Sequence, residues 1–337
     1  MKIAALDIER WPYRYPLRIT GHEWTHVEVA VVEIEDDGRR GRGECAGVYY
    51  RGDTAERCLA DIERVADRFT LGVSRRELLD LLPAGGARNA LDAALWDLEA
   101  KAKGRPVWEL VGSPAPQPLL TTHTLGADEP ERMVERALAF SEAKALKLKL
   151  TGMSDDAERV REVRRARPDV WLGVDANQGF TRASLEALMP TLLEADVRLI
   201  EQPFAVGRDA DLEGMHVPIE LAADESAQDL DDVARVATRF GVINIKLDKC
   251  GGLTRALEIE AEARQRGLKV MVGCMGGTSL AMAPAYVLGL RCDLVDLDGP
   301  LLLARDRSPA VRYEAGRITC APEVWGSPAG AVSASAP

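Results

Sequence analysis

The sequence of 337 residues predicts an α/β fold, in which a (β/α)7β barrel of the TIM type follows a smaller α+β domain. From residue 119 onward, eight short apolar runs alternate with helical patterns, which is typical of parallel strands joined by crossover helices. Five of these runs end in ionisable residues separated by 26, 26, 23 and 22 residues. Such spacing is close to one strand–helix unit, since a barrel of this type spreads ~250 residues over eight units. The first 115 residues group strands before helices, which indicates a separate α+β domain.

The composition is that of a globular protein. Hydrophobic residues make up 46% of the chain, and the net charge is −11 at pH 7. The negative charge argues against nucleic-acid and anionic-membrane partners. No apolar run has the length of a membrane span or of a signal-peptide core. Six scattered cysteines without CxxC spacing indicate reduced thiols. We expect a cytoplasmic protein, and a homo-oligomer is compatible with the sequence.

The N-terminal α+β domain is predicted over residues 1–115. Alternating apolar residues indicate strands, and the turn ending at Gly38 joins two of them in a hairpin. The second helical pattern ends at Gly104, with Pro106 just beyond it. The Pro-rich segment 113–118 predicts a domain boundary. The strands are predicted at 2–10, 26–35 and 40–45, and the helices at 54–69 and 87–103.

The barrel domain is predicted over residues 116–310. Its strands are expected at 119–125, 145–150, 170–175, 197–201, 219–223, 242–246, 269–273 and 294–298, and its helices at 128–143, 154–167, 181–195, 228–240, 252–266 and 277–290. Residues 313–319 are predicted to form a strand outside the barrel, within a segment near 311–325 that returns to the N-terminal domain. The small and polar segment 326–337 is predicted to be a disordered tail.

Three carboxylates end consecutive predicted strands: Asp175, Glu201 and Asp224. Active sites of such barrels lie at the C-terminal ends of the strands. Carboxylate oxygens are the ligands that Mg²⁺ prefers, and three of them leave a net charge of about −1 around the ion. Any one of these residues alone could be a solvated acid at the barrel rim. Together they predict a site for one Mg²⁺ per subunit.

Two lysines end further strands on either side of this acidic set, Lys149 before it and Lys246 after it. Lys147 shares a face of its strand with Lys149, because the two are two residues apart. A neighbouring metal ion, another lysine and desolvation all favour the neutral form of a lysine, which makes it a general base near neutral pH. We expect Lys147 to assist through its charge, and Lys249 and Lys144 to lie outside the immediate site.

The last predicted strand carries Asp296 and Asp298, which face the same way if the strand continues through them. Such a pair suits a cationic group of the substrate, such as an ammonium, although a helix cap or a loop turn would also explain it. Glycines in the segment 273–277 permit close approach of backbone to a ligand. The four histidines show no partner in the sequence, so structural or peripheral roles are expected, even for His123 near the end of the first barrel strand.

Five motifs in this order resemble the enolase superfamily, in its muconate-lactonizing subgroup. They are Lys147-Leu148-Lys149, Asp175-Ala176-Asn177, Glu201-Gln202-Pro203, Ala223-Asp224-Glu225-Ser226 and the segment IKLDKCGG at 245–252. The run 87–101 also resembles the helix of the capping domain in that subgroup. The resemblance extends to about residue 320, and it implies that the N-terminal domain caps the barrel.

Within the subgroup, the segments Asp296-Leu297-Asp298 and Gly273-Cys274-Met275 are similar to those of the dipeptide epimerases. The resemblance implies an isomerase that inverts the α-carbon of the C-terminal residue of a dipeptide through an enediolate. It implies that Lys149 and Lys246 exchange the α-proton from opposite faces, and that the DxD pair receives the amino terminus. The substrate-binding residues implied or suggested in this way are Asp296, Asp298, Lys147, Asn177, Cys274, Met275, Trp24, Glu23 and Arg51.

The capping loop departs from the family pattern for glutamate-containing dipeptides. Family members that act on Ala-Glu carry an arginine in this loop, whereas residues 19–26 contain none. Arg18 lies just before the loop and Arg51 lies in the second capping loop, so a cation could still reach the site. Glu23 and Trp24 suit a cationic or aromatic side chain at least as well. The sequence therefore leaves the side-chain specificity open.

Three alternatives compete with the dipeptide epimerase. Another subgroup activity, such as N-acylamino-acid racemisation, o-succinylbenzoate synthesis or muconate cycloisomerisation, would leave the DxD pair without an ammonium to bind. A Schiff-base lyase would use Lys149 or Lys246 as a nucleophile, but it would leave the three carboxylates unexplained. A non-catalytic scaffold would not explain why all five residues are present.

Overall fold

The computed structural model describes residues 1–328. The N-terminal part begins with a three-stranded antiparallel sheet in the order β1–β2–β3. The alternating apolar residues of β2 are buried, and they pack on the helices that follow. The first strand is longer than the predicted 2–10 and continues, through a register shift after Pro12, to Ile19. The bounds are β1 (Lys2–Ile19), β2 (His22–Asp36), β3 (Arg39–Cys45), α1 (Ala55–Phe69), α2 (Arg75–Leu81), α3 (Gly86–Lys103) and α4 (Val107–Leu110).

Helix α3 lies against β3 at very short range. A Cβ atom added to Gly41 would lie 2.0 Å from the carbonyl oxygen of Ala94, and one added to Gly43 would lie 1.9 Å from that of Ala90. Only glycine permits this approach. Because α3 contributes to both the N-terminal core and the barrel core, the proposed boundary near residue 115 stays a prediction.

The predicted barrel is confirmed. Eight parallel strands, β5 to β12, lie side by side in chain order. The two ends of this sheet meet where Thr122 N donates to Val295 O at 3.0 Å. The strands are β5 (His123–Leu125), β6 (Ala145–Lys149), β7 (Trp171–Asp175), β8 (Val197–Glu201), β9 (Glu220–Ala223), β10 (Val242–Lys246), β11 (Lys269–Gly273) and β12 (Leu294–Val295). The helices are α5 (Pro130–Ala139), α6 (Asp156–Ala166), α7 (Arg182–Glu194), α8 (Val233–Val236), α9 (Leu247–Cys250), α10 (Leu253–Gln265), α11 (Ser279–Gly289) and α12 (Gly299–Leu302).

Three barrel predictions were wrong in extent. The predicted strand 119–125 is divided into β4 (Leu119–Leu120) and β5. The predicted helix 228–240 is reduced to a short 3-10 turn, Leu230–Asp232, followed by α8. The predicted strand 294–298 ends at Val295, because the chain turns there to begin α12 after Asp298.

The C-terminal segment does not form the single strand that was predicted over 313–319. It forms the hairpin β13 (Arg312–Glu314) and β14 (Arg317–Thr319), and β14 pairs with β4 beside the barrel instead of with the N-terminal sheet. The chain then reaches the capping domain, where Trp325 Nε1 donates to Arg42 O at 3.0 Å and to Ala93 O at 3.2 Å.

The first residue of the predicted disordered tail is held in place, since Gly326 N donates to Asp97 Oδ1 at 3.0 Å. Most of that predicted tail, residues 329–337, lies outside the described residues. Within residues 1–328, none of the helices has both the length and the apolar character needed to cross a membrane.

Candidate active site

The three predicted metal ligands meet at the C-terminal end of the barrel. Asp175 and Glu201 are paired in register as the last residues of β7 and β8, and Asp224 follows β9 directly. All three are buried, and a ligand atom from each lies within 4.8 Å of the others. Parallel strands in register therefore bring together carboxylates that are separated by 26 and 23 residues in the sequence.

This acidic set fits a divalent cation. Burial and the neighbouring Asp175 raise the pKa of Glu201 to about 7. At Asp224 burial is outweighed by Lys246 and Lys249, which hold the pKa of that carboxyl below its usual value. The protein therefore compensates the charge of Glu201 less than that of Asp224. Glu201 Oε1 is oriented by Asn244 Nδ2, which donates to it at 2.6 Å. The donor set consists of hard carboxylate oxygens, which is the chemistry that Mg²⁺ prefers.

Lys149 and Lys246 lie on the strands that flank the acidic set. Lys149 Nζ donates to Asp175 Oδ2 at 2.5 Å, and Lys246 Nζ donates to Asp224 Oδ2 at 2.6 Å. Both side chains are buried and line one cavity. Burial disfavours the charged form of Lys246, but Asp224 and Glu201 outweigh burial and hold its pKa above the usual value. The predicted lowering of this pKa is for a lysine beside a bound metal ion, and it stays a prediction.

Two further lysines complete the polar network. Lys147 Nζ donates to Glu201 Oε2 at 3.1 Å and also forms an ion pair with Asp296. Lys249 does not line the cavity, but its buried ammonium donates to Asp224 Oδ1 and to Asp224 O, both at 2.6 Å. A single helical turn, α9, directs residue 249 back over Asp224. The only signal in the sequence is a lysine three residues after Lys246.

The cavity above the carboxylates has a volume of about 250 Å³. Asp296 and Asp298 both line it, but they have different partners. Asp296 accepts from Thr122 Oγ1 and pairs with Lys147. Asp298 Oδ2 accepts from Thr124 N at 2.5 Å, and burial raises its pKa to about 6. The predicted Asn177, Cys274 and Met275 also line this cavity.

The capping domain covers the cavity with aromatic rings. Trp24 lines the cavity and contacts Tyr49 edge to face, with ring centroids 5.0 Å apart. Glu23 and Arg51 are not among the residues that line the cavity, and their contact with a substrate stays a prediction. Glu23 pairs with Arg18 at the surface, and Arg51 donates to Ala84 O, Lys249 O and Gln228 Oε1.

Several lining residues were not predicted. They come from both domains and include Tyr13, Tyr49, Tyr50, Thr124 and Glu225. The three aromatic residues carry no spacing signal, since they reach the cavity only when the capping domain docks on the barrel. His26 also lines the cavity, whereas the ring of His123 packs on Phe140.

Comparison with known proteins agrees with this geometry. The family model described as enolase C-terminal domain-like matches residues 129–320, and the model described as mandelate racemase/muconate lactonizing enzyme, N-terminal domain, matches residues 3–112. The chain is 38% identical over 320 residues to the L-Ala-D/L-Glu epimerase of Escherichia coli K12, an alignment that covers 94% of this chain and 99% of that protein.

Two solved structures are also similar. One is an enolase family member from Agrobacterium tumefaciens with homology to dipeptide epimerases, and it holds sodium and L-Ala-L-Glu. It is 41% identical to this chain, its TM-score is 0.93, and the match covers 97% of this chain and 100% of that one. A dipeptide epimerase from Methylococcus capsulatus in complex with Mg and L-Arg-D-Lys is 34% identical with a TM-score of 0.86, covering 95% and 97%.

Proposed function

The chain belongs to the enolase superfamily, in the mandelate racemase and muconate lactonizing enzyme group, and on that premise we propose that it is a Mg²⁺-dependent dipeptide epimerase. It is an isomerase, which moves a proton without a net gain or loss of atoms. One observation carries the proposal: two buried lysines line a single cavity and are bonded to Asp175 and Asp224, two of the three carboxylates that converge at the strand ends.

In this proposal Asp175, Glu201 and Asp224 hold the Mg²⁺. When bound, the ion supplies positive charge next to the substrate carboxylate, where negative charge develops as the α-proton leaves. Lys249 and Asn244 hold the side chains of Asp224 and Glu201 in place through the hydrogen bonds described above. The ligands are therefore fixed before the cation arrives, which limits the cost of reorganisation.

Lys149 and Lys246 are proposed as the two bases. They come from β6 and β10, with three strands between them, so their ammonium groups reach the cavity floor from different sides. One lysine in its neutral form removes the α-proton from one face, and the charged ammonium of the other returns a proton to the opposite face. The configuration of that carbon is thereby inverted.

The amino terminus of the dipeptide is proposed to bind at Asp298 and Asp296. A buried carboxylate whose pKa is raised to about 6 has a weak counter-charge, and a substrate ammonium would supply it. A cavity of about 250 Å³ is of a size for a small dipeptide. The similar proteins support this substrate class, since one is named for L-Ala-D/L-Glu and another holds L-Arg-D-Lys.

The experiment that tests this function is a screen of L-L dipeptides in D₂O with Mg²⁺, followed by mass spectrometry and chiral chromatography. A panel with acidic, cationic, aromatic and aliphatic C-terminal side chains tests the reaction and its specificity together. We expect the product to carry one deuterium at the C-terminal α-carbon, with the configuration of that carbon inverted. EDTA should abolish this reaction. If the protein racemises N-acetyl amino acids but does not epimerise dipeptides, the N-acylamino-acid racemase alternative is favoured. Borohydride trapping that EDTA leaves unchanged would favour a Schiff-base lyase.

A cytoplasmic location is part of the proposal, supported by six cysteines that are all free thiols in the described chain. The predicted homo-oligomer likewise stays a proposal, which size-exclusion chromatography with light scattering would test.

A further inference from the structure

Helix α9 connects the proposed catalytic floor to the capping domain within four residues. Lys246 precedes it and donates to Asp224, and Lys249 within it donates to the same carboxylate. Between them lies Asp248, whose side chain points the other way, toward the capping domain. Its Oδ1 atom accepts from Ala46 N at 3.1 Å and from Gly47 N at 3.0 Å.

The segment 46–53 that Asp248 contacts forms one wall of the cavity. Ala46, Gly47, Tyr49, Tyr50 and Asp53 all line the cavity. Tyr49 also contacts Trp24 of the first capping loop, so the position of this wall affects the aromatic cover as well.

The segment is tightly constrained at the point where Asp248 binds it. Gly47 has a φ of 76°, and a Cβ atom at this position would lie 2.1 Å from Asp53 O. Asp53 in turn accepts from Gly86 N at 2.8 Å, which anchors the segment to α3 within the capping domain. On the barrel side, Arg51 adds a bond to Lys249 O at 3.2 Å.

We propose that Asp248 is a positioning residue for the reaction. It holds the capping segment 46–53 in place over the side of the cavity where Lys246 lies. The expected effect on kinetics rests on the proposed function. The hydrogen bonds from Asp248 to the segment 46–53 do not depend on that function. Asp248 is 5% exposed, and it binds the amides of a different domain with one oxygen atom.

Asp248 holds the segment 46–53 by accepting hydrogen bonds, and its negative charge is not needed for this. Burial, with Asp53 and Glu44 nearby, raises the pKa of Asp248 to about 7, so this environment does not favour the carboxylate. An asparagine carries the same acceptor oxygen in the Oδ1 position and no charge. Asp248→Asn should therefore preserve the anchor, whereas Asp248→Ala should remove it.

A matched control is available at the same interface between the two domains. Asp92 of α3 is also buried and also bonds across the domains, accepting from Thr254 N at 3.0 Å and from Thr254 Oγ1. It lies outside the cavity lining. Asp92→Ala therefore removes a comparable buried contact between the domains without disturbing the segment 46–53.

The test combines steady-state kinetics on the best dipeptide substrate with hydrogen–deuterium exchange of the full-length protein. Asp248→Ala is expected to raise KM roughly ten-fold, which corresponds to about 1.4 kcal/mol, with a smaller change in kcat. Exchange of the Ala46 and Gly47 amides should accelerate in the same variant. In Asp248→Asn, KM and the exchange rates of the two amides should be close to those of the wild type. Asp92→Ala should leave KM and these exchange rates unchanged.

Two results would overturn the proposal. One is unchanged KM and exchange in Asp248→Ala. The other, which needs no variant, is rapid exchange of the Ala46 and Gly47 amides in the wild-type protein. If the wild type epimerises no dipeptide, the proposed function fails, but the exchange experiment still decides whether Asp248 anchors the segment.

Discussion

Replacement of either proposed base separates a two-base epimerase from any mechanism that uses one lysine. Lys149→Met and Lys246→Met keep most of the side-chain length in positions that are 8% and 7% exposed, and they remove the ammonium. General acid–base catalysis typically contributes about 10²- to 10⁴-fold. Because inversion needs both groups, each single variant should lose roughly that factor in epimerisation, and the double variant should lose little more.

The structure also predicts an effect on stability. Each substitution leaves a buried carboxylate without the lysine that lies within 2.6 Å of it, Asp175 in one case and Asp224 in the other. Lys147 still lies 3.8 Å from Asp175, and Lys249 still lies 2.6 Å from Asp224. The loss should therefore fall below the ~3–5 kcal/mol that an uncompensated buried charge costs. Mg²⁺ would restore the missing counter-charge. The variants should therefore gain more thermal stability from added Mg²⁺ than the wild type does.

The assay is proton NMR in D₂O, started separately from each epimer of one dipeptide. Each variant should exchange the α-proton of one epimer only, and the two variants should differ in which epimer they exchange. Near-full epimerisation by either variant, or exchange of both epimers by both variants, would refute the two-base assignment. Circular dichroism of each variant with Mg²⁺ controls for folding.

Three further outcomes are expected. Asp298→Asn should raise KM for dipeptides by about ten-fold or more, because a buried charged contact is lost; unchanged kinetics would remove the ammonium assignment. Mg²⁺ at 100 times its Kd should stabilise the EDTA-treated protein by about 2.7 kcal/mol, measured by urea unfolding, and no stabilisation would contradict a metal site in the native state. Arg307→Met removes a cation that lies 2.8 Å from Glu44, whose pKa burial already raises. Because the folded pKa of Glu44 then lies further above the unfolded value of about 4.3, the contribution of Glu44 to stability is greatest below the unfolded pKa and is lost as pH rises through the folded pKa. Urea unfolding should show a larger loss at pH 8 than at pH 5.5, and equal losses would contradict the reasoning.

The sequence predicted those parts of the molecule that depend on local pattern. Strand ends repeat at regular intervals and each carries its functional residue, so Asp175, Glu201 and Asp224 could be placed from spacing alone. Lys249 could not, because its position depends on one helical turn that reverses its direction after β10. The end of β12 was also missed, since Asp296 and Asp298 continue the alternation of a strand while the backbone already turns toward α12.

Residues that depend on domain docking were beyond the sequence. Tyr13 of β1 reaches the cavity where it bridges to Leu303, and Tyr49 reaches it from the segment 46–53. No local signal in the sequence marks either tyrosine. Arg51 and Glu23 were chosen for their charge within the capping loops. The structure uses both charges elsewhere, in contacts with neighbouring backbone and with Arg18.

The bonds from Trp325 and Gly326 to the capping domain have a practical meaning for anyone who shortens this polypeptide. Trp325 and Gly326 bond to β3 and α3, the two elements that approach each other closely at Gly41 and Gly43 of β3. Truncation before Trp325 would remove these bonds and loosen the contact of the C-terminal segment with the capping domain.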